Sequence, residues 1–275
     1  VKKKYEVLDH GFVHYRSHMG DDHEIAMDAR TSYDKRDNKG KNDRGLIRRL
    51  MHDRHTSPFE MGEIKFLVKM PIFVARQWNR HRTANINEVS ARYTQLPEEM
   101  YCPAPFRHQD LKNKQGSAEV HEDSDLLQVD FMLDGEMLYD RYEDYLLDGV
   151  SREQARACLP LSTYTTFVWK IDLHNLFHFL KLRMDPHAQY EIRVYADALA
   201  KIVEDLFPLA YEAFDDYILN GYMLSRHEAD MIRYLLTRNG TFVSGMVSDL
   251  RTEYVDGGSM TETEWDQFTG KFGLL

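Results

Sequence analysis

Residues Met61–Met70 alternate between apolar and polar character. Ile64, Phe66, Val68 and Met70 fall on one side, and Glu63, Lys65 and Lys69 on the other. A period of two predicts a half-buried strand with one face on a core. Pro71 follows at once and is suited to the first position of a helix over Ile72–Trp78. Then the character changes. Arg80-His-Arg-Thr-Ala-Asn-Ile-Asn-Glu-Val-Ser-Ala-Arg-Tyr93 is dense in charged and amide side chains and has little helix or strand character. Polar groups at that density beside an apolar helix are costly to bury unless a ligand or a network satisfies them.

The charge of the whole chain sharpens the point. It is formally −10 over 275 residues, yet Arg76–Arg92 is locally +3, which leaves −13 elsewhere. Further arginines, Arg152, Arg156 and Arg183, stand near apolar neighbours. Guanidinium groups keep their charge and match phosphate and carboxylate geometry. Clustered in an acidic chain, they indicate a small anionic ligand, since a large polyanion is repelled by the rest of the surface. Pairing with surface acids is the alternative at this level. The acidic balance argues against a nucleic-acid partner.

Other classes fall away on composition. With 43% apolar residues, including 16 tyrosines and 14 phenylalanines, the chain has the material for a core and is not a disordered coil. No stretch approaches ~20 apolar residues, so no membrane span or membrane partner is expected. Val1-Lys-Lys-Lys-Tyr-Glu lacks a following apolar region, so no secretory signal is expected. Cys102 and Cys158 have neither metal nor redox spacing. Together these predict a cytoplasmic protein.

The pattern along the chain predicts one α+β domain of mixed helices and antiparallel sheet with an appended helical C-terminal piece. A strand is expected within Tyr5–Tyr15, then helices over Asp22–Tyr33 and Asp43–Arg54 with a charged loop, residues 34–42, between them. Pro97–Ser124 is expected to be an irregular excursion. Leu126–Leu147 is expected to be an amphipathic helix burying Leu127, Phe131, Met132, Leu138, Tyr142 and Tyr145. Ser151-Arg-Glu-Gln154 opens a short helix. Thr163–Ile171 is the most β-like run, Leu173–Met184 a helix, and His187–Ile218 a long helix kinked or broken at Pro208. Capping boxes at Ser225/Glu228 and Thr261/Glu264 predict ordered helices in the tail.

Glycine-rich phosphate loops and the nucleophile elbow are absent. His174 and His178 have the spacing of two metal ligands on a helix, but without a zincin glutamate or a third ligand they are better read as lining a polar pocket. No metal is expected. His10, His14 and His18 share that interval and are taken as a solvated face.

The Arg80–Tyr93 segment resembles the signature of the flavin-dependent thymidylate synthases: Arg-His-Arg, seven residues, then Ser, with Asn-Glu and a closing Arg. Three further blocks agree in order and spacing. They are His55-Thr-Ser-Pro-Phe-Glu60, Pro71-Ile-Phe-Val-Ala-Arg-Gln-Trp78 and Leu182-Arg-Met-Asp-Pro-His-Ala-Gln189. The likeness covers about Tyr5–Leu219, so residues 1–219 are taken as the synthase domain and 220–275 as an extension of unknown role. Asn85 stands where the family has a serine.

The resemblance implies reductive methylation of dUMP to dTMP. 5,10-methylenetetrahydrofolate gives the carbon, and FAD, reduced by NADPH, gives the hydride. It also implies an α+β fold in homotetramers whose active sites are shared between subunits, which would hold FAD without a glycine-rich turn. Residue by residue, it places Gln77, Arg80, Glu88, Val89, Ser90, Ala91, Arg92, Arg156 and Arg183 around dUMP. Ser57, Arg80, His81, Arg82, Glu88, Asp172, His174 and His178 fall at FAD, and His55 where folate or nicotinamide would stack. Glu88, Ser90 and Arg92 are expected on one side of an extended strip. Arg183 is the choice for the chemical step, because a guanidinium beside uracil O2 and N3 stabilises the anion that makes C5 nucleophilic. Neither cysteine has a cationic neighbour to activate it, so hydride transfer without a covalent enzyme adduct is the consistent mechanism. A flavoprotein that only oxidises NADPH and a non-catalytic nucleotide-binding protein are the competing readings.

Overall fold

The computed structural model describes residues 3–32, 42–238, 247 and 249–272. It divides into two compact units, Val1–Asp215 and Asp216–Leu275. The first unit is built on a five-stranded antiparallel sheet. Its strands are β1 (Lys4–Val7), β2 (Gly11–Met19), β3 (Glu63–Pro71), β7 (Tyr164–Asp172) and β4 (Asn85–Glu88), in that spatial order.

The alternation in β3 does what a period of two requires. Ile64, Phe66, Val68 and Met70 are fully buried, opposite Ile171, Trp169, Phe167 and Thr165 of β7. Three helices cover this face: α4 (Ile72–Trp78), α7 (Leu173–Arg183) and α8 (Tyr190–Leu206). Trp78 sits at their meeting point, with ring centroids 4.9 Å from Trp169, 4.6 Å from Phe179 and 6.2 Å from Tyr195. Burying aromatic side chains of this size contributes about 2–3 kcal/mol each. Tyr195 donates its hydroxyl to the Lys69 carbonyl at 2.8 Å. Gly11 lies so close beneath that hydroxyl that a Cβ there would come within 1.9 Å of it, so only glycine fits.

Around this core, α1 (Asp22–Thr31), α2 (Asp43–His52) and α9 (Pro208–Phe214) lock together. The Asp22 carboxylate accepts the Leu209 and Ala210 amides at 2.7 and 3.0 Å, supplying the cap that Phe207 cannot. Glu212 takes Arg44 and the buried Arg48. Residues 33–41, most of the expected charged loop, lie outside the described residues.

Several expectations need correction. Tyr5–Tyr15 is a hairpin, because Leu8 adopts a left-handed φ of 58° and turns the chain between β1 and β2. His10, His14 and His18 therefore lie on that hairpin. Pro71 is the last residue of β3 and the N-cap of α4 (φ −60°, ψ 145°), one position before the N1 site expected for it. The excursion after Pro97 contains a two-stranded ribbon, β5 (Arg107–Gln109) with β6 (Ser117–Val120). The helix expected from His187 opens later, at Tyr190; its expected break at Pro208 is found, since Phe207 has a non-helical φ of −133° and Pro208 starts α9.

The long helix α5 (Ser124–Leu147) departs furthest. Tyr142 is buried, but Phe131, Met132 and Tyr145 are exposed; Tyr139 and Gly135 face inward instead. The expected apolar side is larger than the surface this chain offers it. The described residues of the second unit include the helices α10 (Arg226–Arg238) and Glu262–Phe272. Both open on the expected capping boxes. Glu228 accepts the Ser225 amide at 2.8 Å and Glu264 the Thr261 amide at 2.6 Å, while the Ser225 and Thr261 hydroxyls accept the Glu228 and Glu264 amides at 3.3 Å.

Candidate active site

Strand β3 hands the chain to α4, whose last turn carries Gln77 and whose exit carries His81 to the C-terminal end of α7, where Arg183 stands. The half-buried Arg183 donates Nε–H to His81 Nε2 at 3.1 Å and Nη2–H to the Gln77 carbonyl at 3.3 Å. His81 also lies on Phe179, 4.7 Å between ring centroids, with His178 at 5.8 Å. Burial, reinforced by the Arg183 and His178 charges, pushes the His81 imidazole down to about 4. It is therefore neutral near pH 7, as an acceptor from a guanidinium must be. Burial also lowers Arg183 below its ordinary value. The Gln77 amide donates to the Gln189 side chain, a partner not singled out from the sequence although it closes the Leu182–Gln189 block.

A second group forms at the sheet edge. The expectation of little regular structure over Arg80–Tyr93 fails in part, because Asn85–Glu88 pairs with β7 as an edge strand. Thr165 donates its hydroxyl to Glu88 at 2.5 Å, and Val89 N–H bonds the Thr166 carbonyl at 2.8 Å. The extended strip stops there. Ser90–Tyr93 is a turn closed by Tyr93 N–H to Ser90 O, and Ser90 Oγ accepts the Arg92 amide at 3.3 Å. Arg92 thus leaves the line of Glu88 and Ser90 and approaches Glu153 at 3.7 Å, on the short helix α6 (Arg152–Ala155) that precedes Arg156. Ala91 is buried, Asn85 exposed.

A third group gathers at the other end of α7. Asp172 is the α7 N-cap, accepting the Asn175 amide at 2.8 Å, with His174 in the first turn. Beside α7, the four-residue helix α3 (Ser57–Glu60) packs Phe59 against Phe177. Thr56, not Ser57, is its N-cap residue, and His55 precedes it. Asp172 and Arg183 are eleven positions apart along α7, about 16 Å. The described chain therefore brings Gln77, His81, His178 and Arg183 together, sets Asp172 at the far end of α7 from Arg183, and leaves His174 one turn from His178 between them.

The arginines answer the question their clustering raised. Among the described residues Arg80, Arg82 and Arg156 are exposed and form no ion pair, and Arg92 has only that long contact between two half-exposed side chains. Cations kept free in an acidic chain are suited to phosphate groups. Neither cysteine is activated: burial and the nearby Asp9 push the Cys102 thiol up, and Cys158 packs against the Tyr139–Tyr142 cluster.

Comparison with known proteins points the same way. The family model described as thymidylate synthase complementing protein matches residues 16–209. A flavin-dependent thymidylate synthase of Wolbachia pipientis wMel is 50% identical over 238 residues, covering 85% of this chain and 84% of that protein. One from Rickettsia conorii is 42% identical over 285 residues, covering 98% of this chain and 93% of the relative. Among solved structures, the UMP/dUMP methylase PolB of Streptomyces cacaoi, bound with 5-Br dUMP, superposes with a TM-score of 0.71 at 30% identity, covering 79% of this chain and all of that one. Among the described residues no helix is long and apolar enough to cross a membrane.

Proposed function

The chain belongs to the flavin-dependent thymidylate synthase family, and on that premise we propose that it methylates dUMP to dTMP with carbon from 5,10-methylenetetrahydrofolate and reducing power from NADPH. It is a flavin-dependent methyltransferase, and we take the flavin to be FAD. The residues fit that group. Among the described residues Arg80 and Arg82 are exposed cations without acidic partners, as suits a pyrophosphate, and His81, His174 and His178 are polar rings suited to the rest of the group. When bound and reduced, the flavin supplies the hydride.

The observation that carries the reading is the Arg183–His81–Gln77 cluster. A guanidinium has five N–H donors; the protein uses one on Nε and one on Nη2, so three remain for a ligand. Held from two sides, Arg183 is oriented before a substrate arrives. It would stabilise negative charge on uracil O2 and N3 and raise the nucleophilicity of C5. Neutral His81 adds no second positive charge to compete with Arg183. Gln77, Arg80, Arg92 and Arg156 would hold the nucleotide, with Glu88, Ser90 and the Val89 and Ala91 backbone lining it. His55 would meet folate or nicotinamide where they stack.

A homotetramer with shared sites is supported by the open face of α5. Leu126, Val129, Met132, Leu133 and Met137 of α5 are all more than half exposed. Residues 1–219 form the synthase part in this reading, and 220–275 an extension shared with the Rickettsia conorii relative. The purified protein should absorb as a flavoprotein, and dUMP should perturb that spectrum. A colourless protein that takes up no added FAD would contradict the assignment.

A further inference from the structure

We propose that His108, His121 and Glu122 form a binding site for one first-row transition-metal dication, zinc foremost, on the ribbon of β5 and β6. None of the three is assigned to the nucleotide or flavin site. The two histidines are brought together by the fold and not by sequence spacing, since twelve residues lie between them. That is why a sequence reading finds no metal motif here.

One ligating atom from each residue lies within 4.8 Å of the other two. His108 Nε2 is 2.8 Å from Glu122 Oε2, and the two imidazoles overlap with centroids 4.4 Å apart and planes inclined by 30°. Tetrahedral bonds of about 2.05 Å separate ligand atoms by about 3.3 Å. Surface side chains reach that spacing by moving about an ångström.

The backbone presents these groups deliberately. Arg107 pairs with Val120 but Gln109 with Ser117, so a bulge falls across from His108 and re-aims the side chains there. His121 is fixed on both sides: its N–H bonds the Phe106 carbonyl at 2.9 Å, and its carbonyl accepts the Ser124 amide at 3.0 Å, at the start of α5. A shared ion would tie the ribbon to α5. Arg107, beside His108, already ties it to α8 through Glu191 at 2.9 Å.

Two imidazoles and one carboxylate suit zinc, cobalt or nickel and leave a fourth position for water; magnesium and calcium require oxygen sets. His121 Nδ1 accepts the Asp123 amide at 3.1 Å. Ligation through Nδ1 replaces that bond with the metal. Ligation through Nε2 moves the ring proton to Nδ1 and gives the bond up.

The test is calorimetric titration of zinc chloride into the tag-free, chelator-treated full chain, with cobalt chloride followed by visible absorbance. One zinc per chain with micromolar affinity and a four-coordinate cobalt band are expected. Glu122→Gln and His108→Asn should each weaken zinc by about 100-fold or more, beyond the usual cost of losing an outer-shell partner, with circular dichroism unchanged. The double variant His108→Asn/His121→Asn should lose the site, while His14→Asn should retain it. Absence of zinc uptake by the wild type, or equal uptake by the double variant, overturns the proposal.

Discussion

Arg183 donates its Nε–H to His81 Nε2 across 3.1 Å, a bond that exists only while His81 is neutral. The imidazole titrates at about 4 in the folded chain, against about 6.5 when unfolded. Between those values the unfolded state binds more protons. This contribution to stability is therefore complete above about pH 6.5 and is lost as the pH falls toward 4. Below that, two cations face each other and Arg183 loses a support. NMR titration of the His81 ring should give a midpoint near 4; a midpoint near 6.5 would mean that burial beside Arg183 does not hold the ring neutral.

The Gln77–Gln189 pair makes a separate prediction. Gln189→Ala removes one hydrogen bond from Gln77, and a bond of this kind is worth about 0.5–1.5 kcal/mol. The KM for dUMP should rise by about 2- to 10-fold while kcat stays within about twofold. An unchanged KM would show that Gln77 needs no such partner.

Much of this arrangement is legible in the residues, for reasons that can be named. The two-residue period of β3 reports its burial, because one covered face demands it, and the β-branched and aromatic run of β7 supplies the opposing strand. The capping boxes at Ser225 and Thr261 are local signals and form as local interactions. The ribbon escapes notice because Arg107–Gln109 and Ser117–Val120 are short and carry little apolar alternation. The hairpin turn is hidden by Leu8, a residue with no preference for the positive φ it adopts. Exposure of α5 is invisible for a different reason: an apolar stripe looks the same whether its cover is this chain or another. In the site, the Arg-His-Arg run marks His81 and the Leu182–Gln189 block marks Arg183. That Arg183 bonds His81 and Thr165 supports Glu88 depends on tertiary packing, which no spacing encodes.

The cysteines should be dispensable. Burial and Asp9 raise the Cys102 thiol above its ordinary value, so it is protonated near pH 7, and Cys158 serves packing beside Tyr139 and Tyr142. The Cys102→Ser/Cys158→Ala protein should cost about 1–2 kcal/mol of stability and keep dTMP synthesis within about twofold. Loss of turnover in a folded double variant would point to a covalent nucleophile.

The open face of α5 predicts a change of mass. Leu133→Glu with Met137→Glu places charge on a surface proposed to be buried between subunits. Light scattering should show a smaller species than the wild type, with weakened flavin retention. An unchanged assembly would mean that α5 does not form the contact.

The most direct measurement is chromatographic product analysis after incubation with dUMP, 5,10-methylenetetrahydrofolate and NADPH, for the wild type and for Arg183→Ala. The wild type should form dTMP, and the variant should retain bound flavin while dTMP formation falls by about 1,000-fold or more. NADPH consumption without dTMP in the wild type, or near-normal dTMP from the variant, would contradict the assignment.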